Sequence, residues 1–255
     1  MKRRYYILTA IISYLFFTLA STPAATAFSL LKSNVKLPFS LQGIDGSIWN
    51  GHAQRLNIPS APQVENLNWQ LNPFSLLIAQ INADVEADIY KNKLSGNISV
   101  SSSGDISASD IRTRLAGETV QKLIDLPLGE IDGDFEININ SFELSNNTPV
   151  VNGIIHWTNA KFTLADSVNL GNVELTIKPA DDNALNAVIK NTGGDIYIEG
   201  QVMLSKNKAY DLDLTFKPLA SANNNIKQSL AMFAKRQTNG AYLLKQKGNL
   251  NSLGF

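Results

Sequence analysis

The chain contains no cysteine and only two histidines among its 255 residues. Disulfide bonds, thiol nucleophiles and thiolate metal ligands are therefore excluded. His52 and His156 lie more than a hundred residues apart, and neither has a histidine or carboxylate partner at the i, i+4 spacing of a helical metal site. We expect each histidine to be an exposed or hydrogen-bonded side chain, and the sequence predicts no metal site.

An excess of charge of one sign is also missing, since 22 Lys and Arg residues balance 22 Asp and Glu residues. A nucleic-acid-binding protein needs a basic surface, so no nucleic-acid partner is expected. The chain has no Gly-x-Ser-x-Gly nucleophile elbow, P-loop or dinucleotide-binding glycine pattern. Asp132, Asp134 and Glu136 alternate as on the solvated side of a strand, with a calcium site as the alternative. The sequence predicts no catalytic residue and no cofactor, and we expect a protein that is not an enzyme.

The N-terminus carries the long apolar run that the rest of the chain lacks. After Lys2, Arg3 and Arg4, the 27 residues from Tyr5 to Leu31 contain no charged side chain. Such a run can form a transmembrane helix whose basic end stays in the cytoplasm. Ala25-Thr26-Ala27 also has the form of a signal-peptidase site, so a cleaved signal peptide is the alternative. We expect residues 1–31 to be a basic tip with an inner-membrane anchor or signal peptide, and residues 32–255 to be a periplasmic β-rich domain.

The exported part alternates apolar and polar residues, as in Ile81–Tyr90, Phe135–Asn140, Val173–Ile177 and Tyr210–Lys217. Period two places one dry and one wet face on each strand, which is typical of antiparallel sheets. Turns are predicted at 95–97, 103–105, 132–134 and 191–195, and also at 59–62 and 181–183. We predict a mainly β antiparallel meander of one or two sheets. Two short amphipathic helices, over 111–126 and 226–236, interrupt the alternation.

Two tryptophan segments stand out. Gly43, Gly46 and Gly51 frame Trp49, which predicts a tight turn, a strand with a large aromatic residue and a closely approached backbone. Further on, Leu67, Trp69 and Leu71 share one strand face, and Pro73 ends that strand. Either tryptophan is a core anchor or, alternatively, contacts a partner. Trp69 and Trp157 lie in loosely similar segments, which indicates two halves of similar build or simply two strands that each carry a tryptophan.

The order of these segments resembles the inner-membrane N protein family of the type II secretion system. The similar segments are Pro23-Ala24, Gly43–Ala53, Leu67–Leu77, Gly193–Gly200, Tyr210–Pro218 and Gly240–Tyr242. The family motif residues in this chain are Gly43, Gly46, Ser47, Trp49, Gly51, Trp69, Pro73, Gly193 and Gly194. The resemblance implies an uncleaved anchor, and it brings no catalytic residues.

Two functions follow as hypotheses. The resemblance implies a single-pass inner-membrane component that supports export of folded proteins by contacts with other type II secretion components. Edge strands would serve such docking. More distantly, the one-sided meander is similar to AsmA-type periplasmic proteins, whose curved sheets line an apolar groove. A lipid-handling groove is therefore the alternative, with lipid as the partner.

Overall fold

The structure is a computed structural model that describes residues 2–59, 62–124, 129–145, 148–163, 166–181, 184–222 and 224–249. The α-helices are α1 (Lys2–Ala20), α2 (Ala24–Asn34), α3 (Gly117–Leu123) and α4 (Asn224–Phe233), and a 3-10 helix spans Pro73–Ile78. The chain divides into two units, residues 1–102 and 103–255. Each unit is described by itself below.

The first unit holds α1, α2, the 3-10 helix and five strands: β1 (Ser40–Gly46), β2 (Asn50–Asn57), β3 (Val64–Leu71), β4 (Gln80–Ile89) and β5 (Asn92–Ser101). Each strand pairs antiparallel with the next one along the chain. β4 confirms the predicted strand, and its alternation of sides holds from Ala83 to Ala87, whereas Ile81 is 51% exposed and Tyr90 lies beyond the strand. The predicted turn at Ser95-Gly96-Asn97 is wrong because these residues lie inside β5, paired with β4 along its whole length. In the described part of the chain, no helix combines the length and the apolar character that a membrane crossing requires.

The second unit holds α3, α4 and nine strands: β6 (Ile106–Ala116), β7 (Glu130–Ser145), β8 (Thr148–Thr163), β9 (Ser167–Pro179), β10 (Leu185–Thr192), β11 (Ile196–Leu204), β12 (Ala209–Pro218), β13 (Lys235–Arg236) and β14 (Tyr242–Asn249). The strands pair in chain order as far as β12, which pairs with β14, and β13 lies at the edge. The pairs are antiparallel. The prediction of a mainly β antiparallel meander is therefore confirmed in both units.

The predicted helix over 111–126 is wrong in its first part. β6 continues to Ala116, and among the described residues of this segment only Gly117–Leu123 is helical, since residues 125 and 126 lie outside the described residues. Ile111 and Leu115 alternate with Arg112 and Arg114 on a strand, and Leu115 is buried. Leu115 belongs to this alternation, so its apparent helical spacing with the apolar residues after it was misleading.

The predicted helix over 226–236 is confirmed for most of its length, because α4 spans Asn224–Phe233 and buries Ile226 and Leu230. Lys235-Arg236 instead pairs with β14. The predicted turn at Asp132-Gly133-Asp134 is wrong, since these residues form a β-bulge within β7 and Gly133 has φ +109°. The turn at 103–105 is confirmed as a strand connection, and so is 193–195 of the turn predicted at 191–195, whose first two residues belong to β10. Residues 60, 61, 182 and 183 of the other two predicted turns lie outside the described residues.

A helix-covered core forms in the second unit. α4 packs against the sheet, and one cluster of buried residues is contributed by α4, β11, β14 and the residues that flank α4: Ile196, Ile198, Ala222, Ile226, Leu230, Ala234 and Tyr242. Phe216 of β12 and Phe233 of α4 meet edge to face with ring centroids 6.0 Å apart. Removal of these side chains from water stabilises this unit.

Candidate functional site

The glycine-framed segment forms the hairpin between β1 and β2, with Gly46 opposite Gly51. The Ser47 amide donates to the Asn50 carbonyl at 3.0 Å, and the Asn50 amide donates to Ser47 Oγ at 3.1 Å. Gly46 has φ +82°, a conformation that glycine adopts without steric cost. Gly43 also has a left-handed φ of +64° and is skipped in the pairing of β1 with β2. The tight turn is confirmed. Trp49, however, lies in the turn rather than on a strand.

Trp69 fixes this hairpin from the neighbouring strand. Trp69 lies directly opposite Gly51, and a Cβ atom on Gly51 would collide with the indole ring. The indole Nε1–H donates to the Ile48 carbonyl at 3.1 Å. The close approach predicted at Gly51 is therefore present, and the atoms that approach it belong to Trp69. The shared face of Leu67, Trp69 and Leu71 is also confirmed, since all three are half-buried and alternate with exposed residues.

The hairpin turn contacts the N-terminal leader (residues 1–31) between α1 and α2, at residues 21–23, which we call the leader junction. The Ile48 amide donates to the Thr22 carbonyl at 3.1 Å, and Pro23 forms an antiparallel bridge with Ser47. Ala24, the first residue of α2, is buried. Ser47 therefore links the hairpin to the junction between α1 and α2. Sequence reasoning missed this contact, because nothing in the pattern of residues 20–24 identifies residues 47 and 48 as their partners.

Pro73 begins the 3-10 helix rather than only ending β3. Asn72 caps this helix, since its side chain accepts from the Phe74 amide at 3.0 Å. Four large apolar side chains of the helix are exposed, three of them strongly: Phe74 76%, Leu77 83%, Ile78 69% and Leu76 46%. We call these four residues the 3-10 apolar patch. Clustered exposed apolar residues of this kind mark contact sites more often than single ones do.

Gly193 and Gly194 connect β10 to β11 with φ of +77° and +83°. A Cβ atom on Gly194 would collide with the Asn169 carbonyl oxygen. Beside this turn lies Asn191, whose side chain sequence reasoning missed. It is 3% exposed, donates to the carbonyls of Leu170 and Ile196 at 2.7 Å each, and accepts from the Ile198 amide at 2.6 Å. A single amide side chain thus holds three backbone groups around the glycine turn.

The second unit contains an apolar cavity of about 330 Å³ beneath α4. Asp166 and Ser229 are its only acidic or hydroxyl-bearing lining residues within the described chain. Its apolar lining is contributed by strands and α4 alike: Ile131, Trp157, Phe162, Val168, Leu170, Ile196, Ile198, Phe216, Ile226, Leu230 and Phe233. The volume lies near the lower end of the range for small-molecule pockets. We call this space the α4 cavity.

Polar groups in the described residues pair on exposed faces. His52 Nδ1 lies 3.0 Å from Asn68 Oδ1, which confirms the expected hydrogen-bonded histidine, and His156 Nδ1 lies 3.9 Å from Glu174. The Lys190 ammonium donates to Glu174 at 2.9 Å, and this hydrogen bond lowers the pKa of the Glu174 carboxyl. Asp132, Asp134 and Glu136 do not converge, and no metal-binding cluster occurs among residues whose positions are described. Asp132 instead lies near Lys161, and Glu136 pairs with Arg114.

Comparison with known proteins gives a consistent result. The family model for type II secretion system (T2SS), protein N, matches residues 38–245. A type II secretion system protein N from Aeromonas hydrophila is 25% identical over 249 residues, covering 94% of this chain and 96% of the relative. The protein of the same name from Vibrio cholerae serotype O1 (strain ATCC 39315 / El Tor Inaba N16961) is 24% identical over 239 residues, covering 89% and 91%. No solved structure matches the chain.

Proposed function

The chain belongs to the type II secretion system protein N family, and from this we propose that it is a non-catalytic component of that system, anchored in the inner membrane, which supports secretion through contacts made by its periplasmic part. The family match carries the proposal because it extends from residue 38 to residue 245, through both units. The two relatives match over nearly their whole lengths as well. The whole chain, rather than one module, is therefore the counterpart of a secretion component.

Three features of the N-terminal leader support the proposed membrane anchorage: its lack of charge, its exposed apolar side chains and the basic residues before it. α1 begins at Lys2, and the chain carries no charge from Tyr5 to Leu31. Several large apolar side chains of α1 are exposed: Tyr5, Tyr6, Ile7, Ile11, Tyr14 and Phe17. In water these side chains would raise the free energy, whereas in hydrocarbon they would not. The three basic residues before the run favour a cytoplasmic N-terminus and a periplasmic body.

A deletion experiment tests the proposed role. In a strain with a working type II system, deletion of this gene should leave folded secretion substrates in the periplasm, and the full chain expressed in trans should restore them to the medium. The measurement is the ratio of substrate activity in medium to that in periplasm. An unchanged ratio in the deletion strain would count against the role.

Docking through the edge strand can be tested in the same strain. β1 is the first strand in the order of its unit, and an edge strand can pair with an added strand. A photo-cross-linking residue at exposed Gln42 on β1 should form adducts with a secretion component. The matched control is exposed Gln201 on β11, which has strands paired on both sides. Equal adducts at both positions, or none at Gln42, would exclude β1 as the docking edge.

The α4 cavity favours a second candidate function, an AsmA-like lipid-binding site. Its apolar lining and volume suit one acyl chain better than a polar ligand. Native mass spectrometry of the full chain released from detergent should show a co-purified lipid. Ile198→Trp, which fills the cavity, should remove that lipid, whereas Ile98→Trp on exposed Ile98 should not. A wild-type protein without bound lipid would dismiss this second function.

A further inference from the structure

The 3-10 apolar patch lies at the same end of the strands as the leader junction between α1 and α2. The Thr22 carbonyl, two residues after α1, accepts from the Ile48 amide at 3.1 Å. On the other side of the hairpin turn, the Trp49 carbonyl accepts from the Leu71 amide at 2.7 Å. Leu71 is the last residue of β3, and one residue, Asn72, separates it from the 3-10 helix. Neighbouring strands are ~4.8 Å apart, so these two steps place Leu71, at the end of β3, roughly 10 Å from the leader junction, and the 3-10 helix begins two positions further along the chain.

We propose that the 3-10 apolar patch inserts into the head-group region of the bilayer leaflet from which α1 emerges, as a second contact between the body and the membrane. This inference rests on the proposed anchorage by α1. A helix that leaves a membrane brings whatever lies beside its exit to the lipid surface. Phe74, Leu77 and Ile78 are the most exposed large apolar residues of the first unit outside the leader among the described residues.

The chemistry around the patch suits lipid. No charged residue occurs between Glu65 and Asp84, so the 18 residues from Asn66 to Ala83 carry no carboxylate that anionic lipid head groups would repel. The backbone of the helix is already paired locally. Asn72 Oδ1 accepts from the Phe74 amide, and the Ala79 amide donates to the Leu76 carbonyl at 3.1 Å. Entering a less polar medium would therefore leave few backbone groups unsatisfied.

A bilayer is a better occupant than a folded partner for a positional reason. The patch lies beside the leader junction, and the contacts that place it there belong to the backbone: the Ile48–Thr22 bond, the Pro23–Ser47 bridge and the Leu71–Trp49 bond. These contacts use the hairpin and the Leu67–Leu77 segment together. The proposal therefore also gives the two tryptophan segments a shared role. Together they hold the 3-10 apolar patch at the height of the membrane surface.

The absence of cysteine makes the test clean, because any introduced cysteine is unique. Leu77→Cys carries an environment-sensitive fluorophore on the patch. Gln63→Cys is the matched control, because Gln63 is exposed and lies just before β3, at the opposite end of that strand. Each labelled full-length protein is reconstituted alone into vesicles of phosphatidylethanolamine and phosphatidylglycerol, with and without a nitroxide-labelled lipid.

The label at Leu77→Cys should emit at a shorter wavelength than the label at Gln63→Cys, and nitroxide lipid should quench most of its intensity. Adding Phe74→Asp and Ile78→Asp should return both signals to the control values. Equal wavelength and quenching at the two positions would overturn the proposal, and so would protection of the patch only when other secretion proteins are added. Alkaline extraction distinguishes failure of the patch proposal from failure of the proposed anchorage. A protein retained in the vesicles with an unquenched label contradicts only the patch, whereas an extracted protein contradicts the anchorage and the patch together.

Discussion

The two units differ in where they keep their large apolar side chains. In the second unit, Ile196 and Ile198 are buried under α4, and Leu230 of α4 is buried against them. In the first unit the buried apolar residues among those described are alanines, Ala24, Ala53 and Ala87, while residues of the size of Phe74 and Leu77 face outward. A large apolar side chain stabilises a fold only when it is removed from water. The second unit therefore derives stability from its own core, whereas the first presents apolar surface to its surroundings.

The two units nevertheless share one anchoring device. Trp69 packs against Gly51 and donates to the Ile48 carbonyl at 3.1 Å, and Trp157 packs against Gly133 and donates to the Asp132 carbonyl at 2.9 Å. In each unit a glycine makes room for an indole. The register differs, since Trp69 lies directly opposite Gly51 while Trp157 lies opposite Phe135 beside a bulge. The similarity between the Trp69 and Trp157 segments therefore reflects two strands that each carry a tryptophan, rather than two halves of similar build.

The largest effect is expected where the second unit has a buried polar group. Asn191→Ala should lower the free energy of unfolding by roughly 4 kcal/mol, because the Leu170 and Ile196 carbonyls and the Ile198 amide each lose a partner at about 1–3 kcal/mol apiece. Urea unfolding of the full chain in detergent, followed by circular dichroism, measures it. Asn225→Ala removes one exposed hydrogen bond to Asp166 and is the control, with a change below about 0.5 kcal/mol. A similar loss in both variants would show that the buried hydrogen bonds of Asn191 contribute no more to stability than the exposed one of Asn225.

A matched pair of leucines tests the comparison of the units directly. Leu230→Ala should cost about 3 kcal/mol, because Leu230 is 4% exposed and its removal leaves a cavity in the core. Leu77→Ala should change the stability in detergent by less than about 0.5 kcal/mol, since Leu77 is 83% exposed. The same urea titration measures both variants. If Leu77→Ala were as costly as Leu230→Ala, the first unit would have an apolar core after all.

The tryptophan device of the first unit is expected to have a smaller effect. Gly51→Ala should cost about 2 kcal/mol because the new Cβ atom overlaps the Trp69 ring. Combining it with Trp69→Ala should recover about 1 kcal/mol of that cost in a double-mutant cycle. Full recovery is not expected, since the Ser47 carbonyl oxygen also lies only 2.8 Å from the Cβ position. Strict additivity of the two substitutions would mean that the indole does not restrict Gly51.

Periodicity predicted the strands well, because one wet and one dry face per strand leave a direct trace in the sequence. It failed where that trace was ambiguous. Ile111–Leu115 alternates over a few residues and then joins a helix, and Gly133 is a turn residue used in a bulge. Gly96 resembles a turn residue but lies in a paired strand. Turn chemistry is a local signal, and strand pairing on both sides can override it.

The sites were predictable only in part. Gly51 was expected to be approached closely, and the structure supplies the approaching group, Trp69. Contacts between residues distant in sequence left no such trace. Neither the Thr22–Ile48 bond nor the three partners of Asn191 could be derived from spacing, because each depends on which strands become neighbours. The α4 cavity likewise depends on how α4 rests on the sheet, which composition does not determine.

The smallest effect is expected at an ion pair on the polar face of the second unit, where the comparison predicts little contribution to the free energy of unfolding. The Lys190 hydrogen bond lowers the pKa of Glu174 from its ordinary value of 4.5, so ionised Glu174 stabilises the folded state above that pH. The contribution is lost as the pH falls below about 4.5 and through the lowered pKa. Lys190→Met should therefore reduce the free energy of unfolding by less than about 1 kcal/mol at pH 7, because the pair is partly exposed, and the difference from wild type should vanish in acid. Urea titrations of both proteins across this pH range measure the difference. A difference that persists below the lowered pKa would mean that Lys190 acts through packing of its aliphatic stem rather than through its charge.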